Sequence, residues 1–213
     1  MLFQDRRQAG QALAERLGYL RGHQVVVLGL PRGGIVVARE IADALAAPLD
    51  VLLTRKIELS GPPDTTLGAV GEGGVLVSNH DAILKYGLTP DELTQLAGRQ
   101  RAELAKQVAV YRRTLRPVPI TGQTVILVDD GIATGATAHA AVRVLRARAV
   151  GKIILAVPAG PRRTLDRLAR EVDQLVCPRP LRWLHAVRHS YAEFAPVDDA
   201  EALALLAQEP QHA

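Results

Sequence analysis

Aromatic side chains are scarce: Phe, Trp and Tyr make up 3% of the 213 residues, and Trp183 is the only tryptophan. A core built from this chain therefore rests on Leu, Val, Ile and Ala, and the stacking platforms of single-strand nucleic-acid binders are few. Cys177 is the only cysteine, which excludes an internal disulfide framework and a cysteine-rich metal centre. No run reaches the ~18 apolar residues of a membrane span. The opening residues carry Asp5, Arg6 and Arg7 and lack the apolar stretch of a signal peptide. No Lys/Arg block accompanies the net charge of +4; the densest basic stretch, Arg162, Arg163, Arg167 and Arg170, has the spacing of a solvated helix face. These absences point to a cytoplasmic protein that takes neither a membrane nor nucleic acid as partner.

What is present is ordinary for a globular chain, with 48% hydrophobic and 23% charged residues, and the length suits a single domain. Gln24 to Leu30 is a nearly continuous β-branched run, as expected of a strand buried on both faces. Pro31-Arg32-Gly33-Gly34 breaks it, and Ile35, Ala38, Ile41, Ala42 and Leu45 follow at helical spacing. Further strands are expected at 49–53, 75–77, 124–128, 153–157 and 174–176. Helices are expected at 5–20, from Pro90 toward Arg116, at 136–148, at 164–172, and in the tail after Asp198. The stretch from Arg55 to Gly74, with Ser60-Gly61-Pro62-Pro63-Asp64 and four further glycines, shows no period and reads as a long mobile loop. The last few residues read as disordered. Strands alternating with helices predict an α/β fold with a parallel sheet flanked by helices.

The densest chemistry lies in Thr124 to Thr137. An apolar strand delivers Asp129 and Asp130, then Gly131, then a short Thr/Gly/Ala loop, then a helix. The loop N–H groups, with the helix N-terminus behind them, suit a phosphate. Two carboxylates beside that phosphate would repel it, so they suit sugar hydroxyls instead. A phosphate and a diol held side by side describe a ribose 5-phosphate.

This run resembles the signature of the type I phosphoribosyltransferases, which bind 5-phosphoribosyl-1-pyrophosphate (PRPP). The resemblance implies a Rossmann-like core, about residues 20–177, in a single domain over 1–213, with segments from 178 to about 207 in a small hood. It implies that Asp129 and Asp130 hold the ribose hydroxyls, that Ala133, Thr134, Gly135, Ala136 and Thr137 surround the 5′-phosphate, and that Gly131 belongs to the same PRPP-binding run. Pro31, Arg32, Gly33 and Gly34 then stand where the family binds pyrophosphate, often through a cis peptide, expected here at Pro31–Arg32. Arg55 and Lys56 are expected to reach the pyrophosphate or the developing charge; two solvated cations at a strand end is the alternative. Glu72 reads either as a partner of metal-bound water or as a loop cap, and Trp183 either as a base-stacking residue or as a core plug. The tail, Cys177-Pro178-Arg179-Pro180 through Tyr191-Ala192-Glu193-Phe194, resembles that of a bacterial group of phosphoribosyltransferase-like proteins, with Arg188 where Gly is usual. Ala133 stands where 6-oxopurine enzymes often have Asp. The expected activity is Mg²⁺-dependent transfer of ribose 5-phosphate to a nucleobase or amine, in a homodimer, with a non-catalytic PRPP-binding regulator as the alternative.

Overall fold

Five short runs of Val, Ile and Leu form one parallel sheet in the computed structural model, which describes residues 2–59 and 66–208. They are β1 (Val25–Gly29), β2 (Leu49–Val51), β6 (Thr124–Val128), β7 (Lys152–Ala156) and β9 (Gln174–Val176), in the spatial order β2-β1-β6-β7-β9. Alternate side chains take opposite faces of the pleat. Val26, Leu28, Val125, Leu127, Ile153 and Leu155 face one core, and Val25, Val27, Ile126, Val128, Ile154 and Ala156 face the other. Burial on both faces explains why these strands read as unbroken apolar runs.

One face is covered by α1 (Arg6–Leu17) and α2 (Gly33–Leu45), the other by α5 (Ala136–Ala147) and α6 (Arg162–Leu168). A third cluster joins α4 (Pro90–Tyr111) and α7 (Asp199–Ala207) to the outer side of α2 through Ile35, Val36, Tyr111, Leu205 and Leu206. Helix α4 starts on the expected capping box, with Thr89 and Glu92 each accepting from the other's backbone. It ends at Tyr111, one turn short of the expected Arg116. Asp198 caps α7 by accepting from the Glu201 N–H. A short α3 (His80–Lys85), capped by Asn79, was not expected, nor were β8 (Ala159–Pro161) and β10 (Arg179–Leu181), which pair in parallel.

The expected loop from Arg55 to Gly74 is corrected. Within it lie β3 (Thr54–Glu58) and β4 (Thr66–Gly71), which pair antiparallel, and β5 (Val75–Ser78) extends them to three strands. Two of the glycines that suggested a loop are sites of close approach. A Cβ on Gly68 would lie 2.2 Å from the Val77 carbonyl oxygen, and one on Gly71 would lie 2.5 Å from Val144 Cγ1 of α5. The Ser60 to Asp64 part of the expected loop and the last residues of the tail lie outside the described residues. No helix among the described residues is long and apolar enough to cross a membrane.

Candidate functional site

The sheet order places a topological switch between β1 and β6. From β1 the chain passes through α2 to β2 on one side, and it later returns to β6 on the other. In open parallel sheets the crevice beyond the carboxyl ends at such a point receives ligands. The carboxyl ends of β1 and β6 carry the two runs singled out in the sequence. The Leu30 N–H donates to the Val128 carbonyl at 2.8 Å, so Pro31 to Gly34 and Asp129 to Gly131 lie side by side. The Pro31–Arg32 peptide is cis, as the resemblance implies. A Cβ on Gly33 would sit 2.0 Å from Asp130 Oδ2, and one on Gly34 would sit 2.7 Å from the Val128 carbonyl oxygen. The start of α2 can press against the carboxylate turn only because both residues lack a side chain.

Asp130 does not stand free. Its Oδ2 accepts from Arg6 Nε at 2.8 Å, with both side chains largely buried at 11% and 16% exposure. Arg6 Nη1 also donates to the Ala195 carbonyl at 2.7 Å, and its guanidinium lies 3.7 Å from the centre of the Phe194 ring. The Tyr191 hydroxyl donates to the Asp130 carbonyl at 2.5 Å, and Phe3 and Tyr191 are joined by an isolated bridge. Residues from the first turn of α1 and from the tail thus grip the turn together. Asp129 Oδ1 accepts from the Asp130 N–H at 2.9 Å. Burial, and behind it the charge of Asp130, raises the Asp129 carboxyl well above the usual carboxylate range. The two acids are therefore unequal: one is paired with a guanidinium, the other keeps its proton more readily.

Beyond the turn, Gly135 caps α5 in the left-handed region at φ +81°, a conformation glycine adopts without penalty. A glycine cap supplies no side-chain acceptor of its own; the Ala136 N–H donates to Thr134 Oγ1 at a long 3.4 Å, and the N–H groups at this end of α5 are the kind that suit an anion. The loop is braced from outside. Arg167 Nη2 donates to the Thr134 carbonyl at 2.7 Å, and the Thr164 hydroxyl donates to the Ala133 carbonyl at 3.3 Å.

Arg55 and Lys56, adjacent on β3, separate. Arg55 Nε donates to Gln100 of α4 at 3.0 Å. Lys56 lies 2.5 Å from Glu58 and shares a cavity of about 380 Å³ with Thr134, Ala136 and His139. The structure thus brings Lys56, and not Arg55, to the loop that carries Thr134 and Ala136. Both Glu72 oxygens accept from Arg112, at 2.7 and 2.9 Å, and Arg112 also reaches the buried Asp50 at 2.7 Å. Glu72 therefore anchors the end of β4 to the chain beyond α4. Trp183 is 73% exposed and is not a core plug. Burial pushes the Cys177 thiol up to about 11, which leaves it a poor nucleophile at neutral pH. Arg6 and Tyr191 are the site neighbours that sequence reasoning missed as partners of Asp130. Among the described residues no group of three or more His, Cys, Asp or Glu is placed to hold a metal ion.

A family model described as a phosphoribosyl transferase domain matches residues 4–179. Two Mycobacterium tuberculosis proteins, from strains CDC 1551 / Oshkosh and ATCC 25618 / H37Rv, each bear the name "Putative phosphoribosyl transferase". Both are 44% identical over 205 residues, which cover 96% of this chain and 46% of theirs. The chain thus spans about half the length of the curated relatives it matches. The crystal structure of TT1426 from Thermus thermophilus superposes with a TM-score of 0.90 at 40% identity, covering 99% of this chain and 100% of that one. The AQ2163 protein from Aquifex aeolicus shares the fold, with a TM-score of 0.51 at 12% identity over 84% of this chain and 76% of its own.

Proposed function

We propose, from the premise that this chain belongs to the phosphoribosyl transferase family, that it binds PRPP at the β1/β6 switch and transfers the ribose 5-phosphate to a nitrogen acceptor. The observation that carries this reading is the placement of the Asp129–Asp130 turn between a glycine-opened loop and the glycine-capped N-terminus of α5. Each part of PRPP then has a partner of the right chemistry. Asp129 and Asp130 accept from the ribose hydroxyls. The N–H groups from Ala133 to Thr137, with the Thr134 and Thr137 hydroxyls, donate to the 5′-phosphate. Arg32 and the backbone at Gly33 and Gly34 meet the pyrophosphate, and Lys56 adds positive charge at the phosphate end.

In this reaction the C1–O bond to pyrophosphate breaks and the oxygen keeps the electron pair, while a C1–N bond forms and the acceptor nitrogen loses a proton. The transition state is oxocarbenium-like, as in glycoside chemistry, so the protein's work is to orient the sugar and exclude water. Mg²⁺, when bound, neutralises the leaving pyrophosphate. The acidic side chains at the turn number two, and Asp130 is committed to Arg6. That donor set fits an ion held mainly by ligand oxygens and water, with Asp129 and Asp130 near it. The segment from Arg179 to Phe194, which carries exposed Trp183 and touches the turn through Tyr191, forms the acceptor side.

The test is pyrophosphate release from PRPP and Mg²⁺ with a pooled panel of nucleobases and small amines, beside the Asp129→Asn/Asp130→Asn protein as blank. Acceptor-dependent release above the blank supports the transferase. PRPP binding without release from any acceptor moves the reading to a PRPP-responsive regulator. Absence of PRPP binding overturns both.

A further inference from the structure

Arg32 is the only cation in the glycine-opened loop, and its side chain already has a partner. Its Nε lies 2.8 Å from Asp199 Oδ1, in a pair half open to solvent, with Arg32 51% and Asp199 42% exposed. The same carboxylate oxygen accepts from the Tyr111 hydroxyl at 3.0 Å. Tyr111 is fully buried at the end of α4. Asp199 stands in the first turn of α7, and α7 is fastened firmly. Ala202, Leu205 and Leu206 are buried against Ile35 and Val36 of α2, and buried Arg39 of α2 donates to the carbonyls of Leu205 and Gln208. The carboxylate is thus mounted on a support tied to α2, the helix that begins in the loop itself.

An exposed Arg–Asp pair contributes little to stability. A buried phenol that spends its hydroxyl on fixing that one carboxylate therefore calls for another role. A guanidinium presents five N–H donors in a planar fork. An acceptor held on Nε sets the plane of that fork and leaves terminal donors for a second anion. The geometry points to Asp199, with Tyr111 behind it, as the positioning pair that aims Arg32 at the pyrophosphate of PRPP. This inference rests on the PRPP reading above. It gives the tail helix a direct part in ligand recognition, through Arg32 rather than through contact with the ligand.

Calorimetric titrations with PRPP, pyrophosphate and ribose 5-phosphate, each with Mg²⁺, test it. Wild-type protein that fails to bind PRPP would sink the PRPP reading before Asp199 comes into question. If wild type binds, Asp199→Asn is expected to weaken PRPP and pyrophosphate by about tenfold, the scale of one charge-assisted hydrogen bond, and to leave ribose 5-phosphate unchanged. Tyr111→Phe should do the same to a smaller degree, and Asp199→Glu should recover part of the loss. In an Arg32→Gln background Asp199→Asn should add nothing. Glu201→Gln removes another first-turn charge from α7 and should move none of the three affinities. Equal losses for ribose 5-phosphate would make Asp199 merely structural and overturn the inference. Tighter PRPP binding in Asp199→Asn would make it a competitor of the ligand, and unchanged binding would leave it no role; either result overturns the inference as well.

Discussion

Asp129 is a carboxyl that the folded chain holds with its proton affinity raised, first by burial and then by Asp130 beside it. A carboxyl in an unfolded chain titrates near ~3.9, so above that pH the folded state binds the proton more tightly than the unfolded one. Stability therefore falls as pH rises from about 4 through the raised folded value. Replacing Asp129 by Asn removes that penalty. The melting temperature at pH 7 is expected to rise and its decline with pH to flatten, as calorimetric scans from pH 4 to 8 would show. PRPP affinity should fall by roughly tenfold or more, the cost of one charged hydrogen-bond acceptor. Arg112 is the opposite case. It bridges the largely buried carboxylates of Asp50 and Glu72, and Arg112→Met takes the guanidinium from Glu72 and leaves Asp50 only the Val51 and Val118 N–H groups. The expected loss is about 3 kcal/mol or more in urea unfolding, and retained stability would show that water reaches the pair. The carboxylate turn was legible in the sequence because strand, acids, loop and helix are contiguous from Thr124 to Thr137. The partner of Asp130 was not: Arg6 lies 124 positions away, and a cation on an exposed-looking helix start carries no local sign of a distant carboxylate.

At the scale of elements, the strands of the parallel sheet were readable because burial on both faces leaves one unbroken apolar signature. Of the β3–β5 sheet only β5 was readable, as the strand expected at 75–77; β3 and β4 were not, because the glycines of β4 serve contacts with other elements. Gly68 makes room for the backbone of β5 and Gly71 for Val144 of α5, and a glycine chosen for a tertiary contact looks in sequence like one chosen for a turn. Gly68→Ala is expected to force β4 away from β5, costing about 1–3 kcal/mol as other overpacked positions do. Amide exchange should quicken across β4 and β5 while β6 and β7 keep their protection; uniform quickening, or none, would contradict this placement. Gly73 and Gly74, at φ +83° and +82°, do occupy a turn, the one joining β4 to β5. Helix α7 was legible from Asp198 and the leucines after it. What it grips through Asp199 was not, since Tyr111 and Arg32 come from two other elements.

Across the described residues, four apolar clusters divide the load unequally. β1, β6 and β7 lie between the first two and are covered on both sides, whereas β5 is half-buried to exposed. Native-state hydrogen exchange should therefore find its slowest amides in β1, β6 and β7, with the β3–β5 sheet opening at lower free energy. The same protection in β5 as in β6 would show the molecule to be one cooperative unit. The grip on Asp130 has a consequence for order in time. Arg6 precedes Asp130 by 124 positions, and Tyr191 follows it by 61. During synthesis Arg6 is already present when Asp130 emerges, whereas Tyr191, which holds the Asp130 carbonyl, and Ala195, which holds Arg6, come last, so the turn is fully fastened only when the tail arrives.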